Sequence, residues 1–325
     1  MIVKKYVCLV TSVLVLGCAH SRMTHVSRTV DVEELLLSGL LVDSVAWAGR
    51  GRLFDAESQL RKAQWLAPDN AAVRFNLAVV LGQQGKLSEA ESLIQGLMQE
   101  LGRRPDYILV LADINRQAGQ LERARRLLKE AYGRYDDASN RREAAVLARS
   151  IANLAFVGGE EQEALCYSYE ALRQRADSDQ IGYHAMLLLS LNRTLESHAF
   201  IMEQVTAKRA VKESGFVQFV LALANLGIGD MESSLQAVKL SRQLSPARIA
   251  YGDELEALQL IVSENSGDAT IVGEEAVQRR EQLQSEVKKF LEQSTYSLLH
   301  WPISAQELLR KVVKDTHNVT PERSL

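Results

Sequence analysis

Thiols and imidazoles are the most reactive side chains in this sequence, and their positions decide what chemistry is open to them. The three cysteines are Cys8, Cys18 and Cys166. They are too few for a disulfide framework. Cys166 stands alone. A nucleophilic thiol needs a base and an electropositive site, and nothing around it signals either, so it reads as a small buried apolar residue. The histidines are His20, His25, His184, His198, His300 and His317. No two share a metal-ligand spacing with a cysteine or a carboxylate pair. His20 and His25 lie in polar sequence and read as solvated, whereas His184 and His198 read as packing residues. Phosphate-binding glycine loops, GxSxG and HExxH are absent. The expectation is a chain with no catalytic residue, no metal, no cofactor and no enzyme activity.

Composition points the same way. The chain of 325 residues is 46% hydrophobic and 24% charged, which excludes both a disordered and a polytopic membrane protein. Its 5 prolines and wealth of Ala, Leu, Glu, Arg and Gln favour helices. A net charge of −3 carries no electrostatic footprint for nucleic acid. The arginines at 123, 125 and 126 and at 141 and 142 have Glu122, Asp136, Asp137 and Glu143 beside them, and read as solvated helix faces.

The remaining candidate for chemistry is Cys18. Lys4 and Lys5 precede the apolar run Val7 to Leu16, which is ten residues long. A bilayer core takes about 20 residues, so the run reads as a secretory signal rather than a span. It ends in Val15-Leu16-Gly17-Cys18, which resembles the lipobox of bacterial lipoproteins. That resemblance implies cleavage before Cys18 and acylation of its thiol, with residues 1–17 as the signal peptide. Ala19 is not the Asp that favours inner-membrane retention in enterobacterial relatives. The implied location is therefore the outer membrane, lipid-anchored, on the periplasmic face. Residues 18–30 are polar and read as a lipidated tether, and Asp31 with Glu34 reads as a capping box opening the first helix.

A repeat organises the middle of the chain. Gly51/Leu53/Ala56, Gly85/Leu87/Ala90 and Gly119/Leu121/Ala124 recur every 34 residues. Leu60, Ile94 and Leu128 hold the same period, as do Ala63, Leu97 and Ala131. The physical reading is an antiparallel helix pair per copy. A glycine turns the chain, and Ala78 with Ala90 and Ala112 with Ala124, twelve residues apart, let the two helices approach. This pattern resembles the tetratricopeptide repeat family. The fold class expected is all-α, a solenoid of such pairs over residues 31–246. A fourth copy follows at Gly159/Ala164 after a longer turn at Tyr135 to Arg142. A fifth carries Leu195, with His198 in the small-residue position, and a sixth carries Gly229, Met231 and Ser234. Residues 247–314 read as capping helices, including Arg248 to Val262 and Glu274 to Gln293, and residues 315–325 as a polar tail.

In that family the first helix of each pair lines a concave groove that holds peptides or helices, so the resemblance implies protein partners. The repeat phase puts Asp106, Leu109, Asp113, Arg116 and Gln117 on the groove side of the third copy. Arg149 and Asn153 follow in the fourth. They resemble half of a carboxylate clamp without its Lys and Arg companions, and otherwise read as a solvated or inter-repeat hydrogen-bonding pair. In the fifth and sixth copies the groove positions are apolar: Tyr183, Leu187, Leu191, Phe216, Phe219, Leu223 and Leu226. A bare surface of that kind is rare. Either a partner helix fills it or the C-terminal helices fold back onto it. Lipoproteins of this architecture resemble pilotins and other assembly factors of pili and secretin channels. The function implied is a non-enzymatic scaffold for an envelope machine of pilus or secretion type, with an adaptor of peptidoglycan-acting enzymes as the other reading.

Overall fold

The computed structural model describes residues 32–135 and 139–245, together with Leu255, Leu258, Gln259, Ile261, Val262 and Ser285. The expected signal, tether, Asp31 cap and tail, and nearly all of the expected C-terminal cap, lie outside the described residues. Those described are helical, with no strand among them, and none of their helices is long and apolar enough to cross a membrane. They fall into two compact units, Met1–Ala164 and Leu165–Leu325.

In the first unit α1 (Val32–Gly49) pairs with α2 (Leu53–Leu66), α3 (Ala71–Gln83) with α4 (Leu87–Leu101), and α5 (Pro105–Gln117) with α6 (Leu121–Tyr135). Then come α7 (Arg141–Val157) and α8 (Glu161–Gln174), which runs past the boundary of the unit. The second unit contains α9 (Ser178–Ser190) against α10 (Thr194–Ala207), a one-turn α11 (Arg209–Lys212), and α12 (Gly215–Gly227) against α13 (Met231–Leu244). The longer turn expected between the third and fourth copies falls between Tyr135 and Arg141.

Each pair closes by the same device. Gly51, Gly85, Gly119, Gly159 and Gly229 have φ between 72° and 86°, the left-handed conformation that glycine adopts without a Cβ penalty. The next residue returns its N–H to the carbonyl five positions back: Arg52 to Trp47, Lys86 to Leu81, Gln120 to Asn115, Glu160 to Ala155 and Asp230 to Asn225, at 2.8–3.0 Å. These are Schellman closures. The fifth copy makes the same turn with Asn192 at φ 60°, and Arg193 reaches the carbonyl of Leu188 at 2.9 Å.

This turn comes 33 residues after Gly159 rather than 34, which moves the fifth copy one residue earlier. His198 does not occupy the small-residue position. Ser197 does, fully buried, with its Oγ donating to the carbonyl of Ala185 at 2.8 Å. The sixth copy repeats the arrangement, Ser234 Oγ donating to Ala222 at 2.8 Å. The spacing in both is the twelve residues that separate Ala78 from Ala90. Where the second helix carries serine, a hydroxyl bonds across the close approach; where it carries alanine, nothing polar is buried.

The stripe that seals each second helix is regular. Ala56/Leu60/Ala63, Ala90/Ile94/Leu97 and Ala124/Leu128/Ala131 are at most 1% exposed. Burying each of the larger side chains contributes roughly 1.5–3 kcal/mol. On the outside of the first unit, charged pairs join one second helix to the next: Arg61 to Glu89 at 2.5 Å, Arg123 to Glu91 at 2.9 Å, and Arg125 to Glu160 and Glu163 at 2.5 and 3.1 Å. Arg125 is the buried member of this series. Its hydrogen bond to Glu160 holds its pKa above the ordinary value against the opposing effect of burial.

Candidate partner-binding faces

In the first unit the first helices α3, α5 and α7 pack side by side. Asn70 caps α3, accepting from the N–H groups of Ala72 and Val73, and Pro105 occupies the first turn of α5. Both starts use the local chemistry a helix N-terminus requires. Phe75 of α3 meets Tyr107 of α5 with ring centroids 5.6 Å apart. Along α5, Asp106 holds Arg104 at 3.1 Å, and Asp113 accepts from Arg116 at 2.7 Å and from Gln117 at 2.7 Å. Leu109, Asp113, Arg116 and Gln117 are all half-buried. Arg149 and Asn153 of α7 are half-buried too, and both already hold partners. The face is polar, and the carboxylates of Asp106 and Asp113 are paired on it.

The second unit departs from the groove expected there. Leu187 is 4% exposed, Phe219 and Leu223 are 1% exposed and Leu226 is fully buried. These four are core residues, closed to a partner in this structure. Tyr183, Leu191 and Phe216 are half-buried. Two physical causes account for the difference. The 33-residue interval between Gly159 and Asn192, one short of the repeat, puts Leu187 and Leu191 out of phase with the inner face of α9. In addition, Leu255, Leu258, Ile261 and Val262, each at most 2% exposed, join the same hydrophobic cluster as Phe219, Leu223 and Leu226. Phe216 packs against Gly182 of α9: a Cβ there would stand 2.6 Å from the ring.

His184 is the chemical feature that the sequence leaves undifferentiated. Only 8% exposed, it sits edge-on to Phe200 at 4.9 Å and to Tyr169 at 6.4 Å, and Ser168 Oγ lies 2.9 Å from its Nδ1. Burial, and to a lesser degree the charge of Arg193, push its pKa down to about 4. It is therefore a neutral imidazole at ordinary pH. It lines a cleft of about 360 Å³ with Leu165, Tyr169, Leu188, Arg193, Glu196 and Phe200. Ser168, the partner of His184, stands four residues after Ala164, where the earlier copies carry Leu60, Ile94 and Leu128. The carboxylate of the cleft, Glu196, is paired with Arg193, and no cluster able to hold a metal occurs among the described residues.

Cys166 is exposed, contrary to its expected burial, because it falls two positions past Ala164 and off the buried stripe. Cys18 lies outside the described residues.

No family model and no curated protein matches the chain. Solved structures do. A tetratricopeptide repeat protein from Parabacteroides merdae ATCC 43184 superposes with a TM-score of 0.51 at 16% identity, covering 87% of this chain and 100% of that one. The Cut9–Hcn1 hetero-tetramer of the APC/C gives 0.47 at 13% identity, over 86% of this chain and 58% of that one. Pseudomonas aeruginosa pilF gives 0.39 at 13% identity, over 85% and 100%. Helix pairs in 34-residue phase, closed by the same turn and sealed by the same small-residue contact, agree with the first of these structures: the chain has the tetratricopeptide repeat fold.

Proposed function

We propose that this protein is a non-enzymatic scaffold that binds a protein partner along its first helices. In this reading it is held on the periplasmic face of the outer membrane by a lipid on Cys18 and assists assembly of an envelope machine of pilus or secretion type. The observation that carries the binding role is the row α3, α5 and α7. Its half-buried Leu109, Asp113, Gln117, Arg149 and Asn153 offer apolar contact and polar groups on helices whose other faces are buried. The sequence Val15-Leu16-Gly17-Cys18 supports the anchor.

Affinity purification from detergent-solubilised membranes tests both parts. Pilus or secretin subunits should co-purify with the parent chain and be lost with Leu109→Asp, while Cys18→Ser should release the chain from the membrane fraction. Recovery of the same proteins with and without Leu109→Asp would overturn the binding role. Unchanged fractionation of Cys18→Ser, with no loss of lipid label, would overturn the anchor.

A further inference from the structure

His184 carries a hydrogen-bond donor that the fold leaves without a partner. Its ring is 8% exposed, and its Nδ1 lies 2.9 Å from Ser168 Oγ. Ser168 is 1% exposed, and among the described residues Nδ1 is the one hydrogen-bond partner of its hydroxyl. A buried hydroxyl has to place its proton on an acceptor, so Ser168 donates to Nδ1. That fixes the tautomer: the proton of the neutral imidazole sits on Nε2. Among the described residues nothing accepts from Nε2, and it is not one of the buried polar atoms left unpaired, so it is open to solvent. The imidazole lines the cleft, whereas Ser168 does not. The Nε2–H edge is therefore the part of the ring that the cleft exposes.

The rest of the cleft says what would meet this donor. Its volume of about 360 Å³ lies at the lower end of the range for small-molecule sites, about 300–1,000 Å³. Phe200 and Tyr169 stand edge-on to the imidazole, and Leu165 and Leu188 complete the apolar walls. Walls of that kind take a flat ring. Charge narrows the choice further. Arg193 Nε donates to Glu196 Oε1 at 2.7 Å, so the two charges that line the cleft offset each other. A bound carboxylate would be desolvated beside Glu196, and a bound ammonium would face Arg193 and the Nε2–H donor. A hydroxyl avoids both conflicts. Its oxygen accepts from Nε2–H, and its own proton can go to a Glu196 oxygen or to water.

We propose that the cleft between α8, α9 and α10 is a binding site for a phenol, a neutral aromatic ring packed against Tyr169 and Phe200 whose hydroxyl oxygen accepts a hydrogen bond from His184 Nε2. A free small molecule and the tyrosine side chain of a partner present the same group. The site goes beyond the scaffold role and depends neither on the anchor nor on the first helices of the other unit.

The test uses the chain from Cys18 onward, which contains every described residue, labelled with 15N-histidine. Long-range 1H–15N spectra at pH 7.5 distinguish the two ring nitrogens, and the His184 signals are assigned by their loss in His184→Asn. The protonated nitrogen should be Nε2. p-Cresol should shift it saturably, with a dissociation constant of about 1 mM, as expected of so small a ligand. p-Toluate and 4-methylbenzylammonium carry the same ring with a negative or a positive charge, and should bind at least about tenfold more weakly. Tyr169 is exposed, so Tyr169→Ala removes a wall without opening the core. It should weaken p-cresol by about fivefold, while circular dichroism and the His184 tautomer stay as in the parent. N-acetyltyrosine methylamide presents the phenol on a peptide unit. Binding as tight as that of p-cresol assigns the ring to a partner's tyrosine, and its exclusion while p-cresol binds assigns it to a free molecule. A proton on Nδ1, equal shifts from the neutral and the charged probes, or unweakened p-cresol binding by Tyr169→Ala would each overturn the proposal.

Discussion

Acid should weaken the second unit through His184 in particular. The imidazole is held neutral by burial, its pKa pushed down to about 4 in the fold, against about 6.5 in an unfolded chain. Below pH 6.5 the unfolded chain takes up the proton first. The stability associated with a neutral His184 is therefore complete above about pH 6.5 and drains away as pH falls toward 4, where the folded protein takes the proton as well. At about 1.4 kcal/mol per pH unit, the full loss is about 3 kcal/mol, of which about 2 kcal/mol has gone by pH 5. His184→Asn removes the titration while keeping an acceptor for Ser168. It also gives up the ring contacts with Phe200 and Tyr169, so it should be less stable than the parent at every pH. The informative quantity is the change between pH 7.5 and pH 5. Hydrogen exchange of the α9 amides reports it locally, since the two units need not open together. The parent should lose about 2 kcal/mol more than the variant over that interval. Equal losses would refute the argument, because they would mean that the imidazole is hydrated enough to titrate normally.

Three further substitutions test the packing. Gly182→Ala drives a methyl to 2.6 Å from the Phe216 ring and should cost about 1–3 kcal/mol; in a Phe216→Ala background the same change should stabilise by up to about 1 kcal/mol, because alanine is the better helix former, and urea unfolding of the four-member cycle measures the coupling. Ala90→Leu and Ala124→Leu, both at fully buried positions, should each cost about 1–3 kcal/mol by overpacking their helix pairs; if both melt like the parent, the repeat phase is wrong. Asn192→Val should lose about 1–2 kcal/mol at its left-handed φ, whereas Asn192→Gly should not, a contrast that thermal unfolding resolves.

The repeat was legible because its positions demand particular residue types. A left-handed φ selects glycine, a close helix approach selects alanine, and the buried stripe selects leucine or isoleucine, so three copies announce themselves at a fixed spacing. The fifth copy hides because each demand is met by another residue: Asn192 turns the chain, and Ser197 satisfies the close approach by bonding to Ala185. Counting forward from the earlier copies lands one residue late, on His198. Cys166 shows a different failure. Its residue type suggests burial, but its place two residues past Ala164 exposes it, and phase outweighs type on a helix. The environment of His184 was out of reach, since it depends on Ser168 standing where a large apolar side chain was due. Phe219, Leu223 and Leu226 share a cluster with Leu255, Leu258, Ile261 and Val262; the apolar run raised the choice between a partner helix and C-terminal residues folding back, but local periodicity does not decide it. For the proposed partner-binding face, the repeat phase places Leu109, Asp113, Arg149 and Asn153, but the partners of the three polar side chains are properties of the packed helices.

The central claim is that the first helices of the first unit, rather than any titratable site, form the working surface. Photo-crosslinking in living cells tests it directly. A photoreactive residue would be placed at Leu109 or Asn153 on the inner helices, or at Arg123 or Arg126 on the exposed side of α6. The account predicts a discrete crosslinked protein from 109 and 153, and none from 123 and 126. Equal capture from both sets, or capture from the outer positions alone, would contradict it.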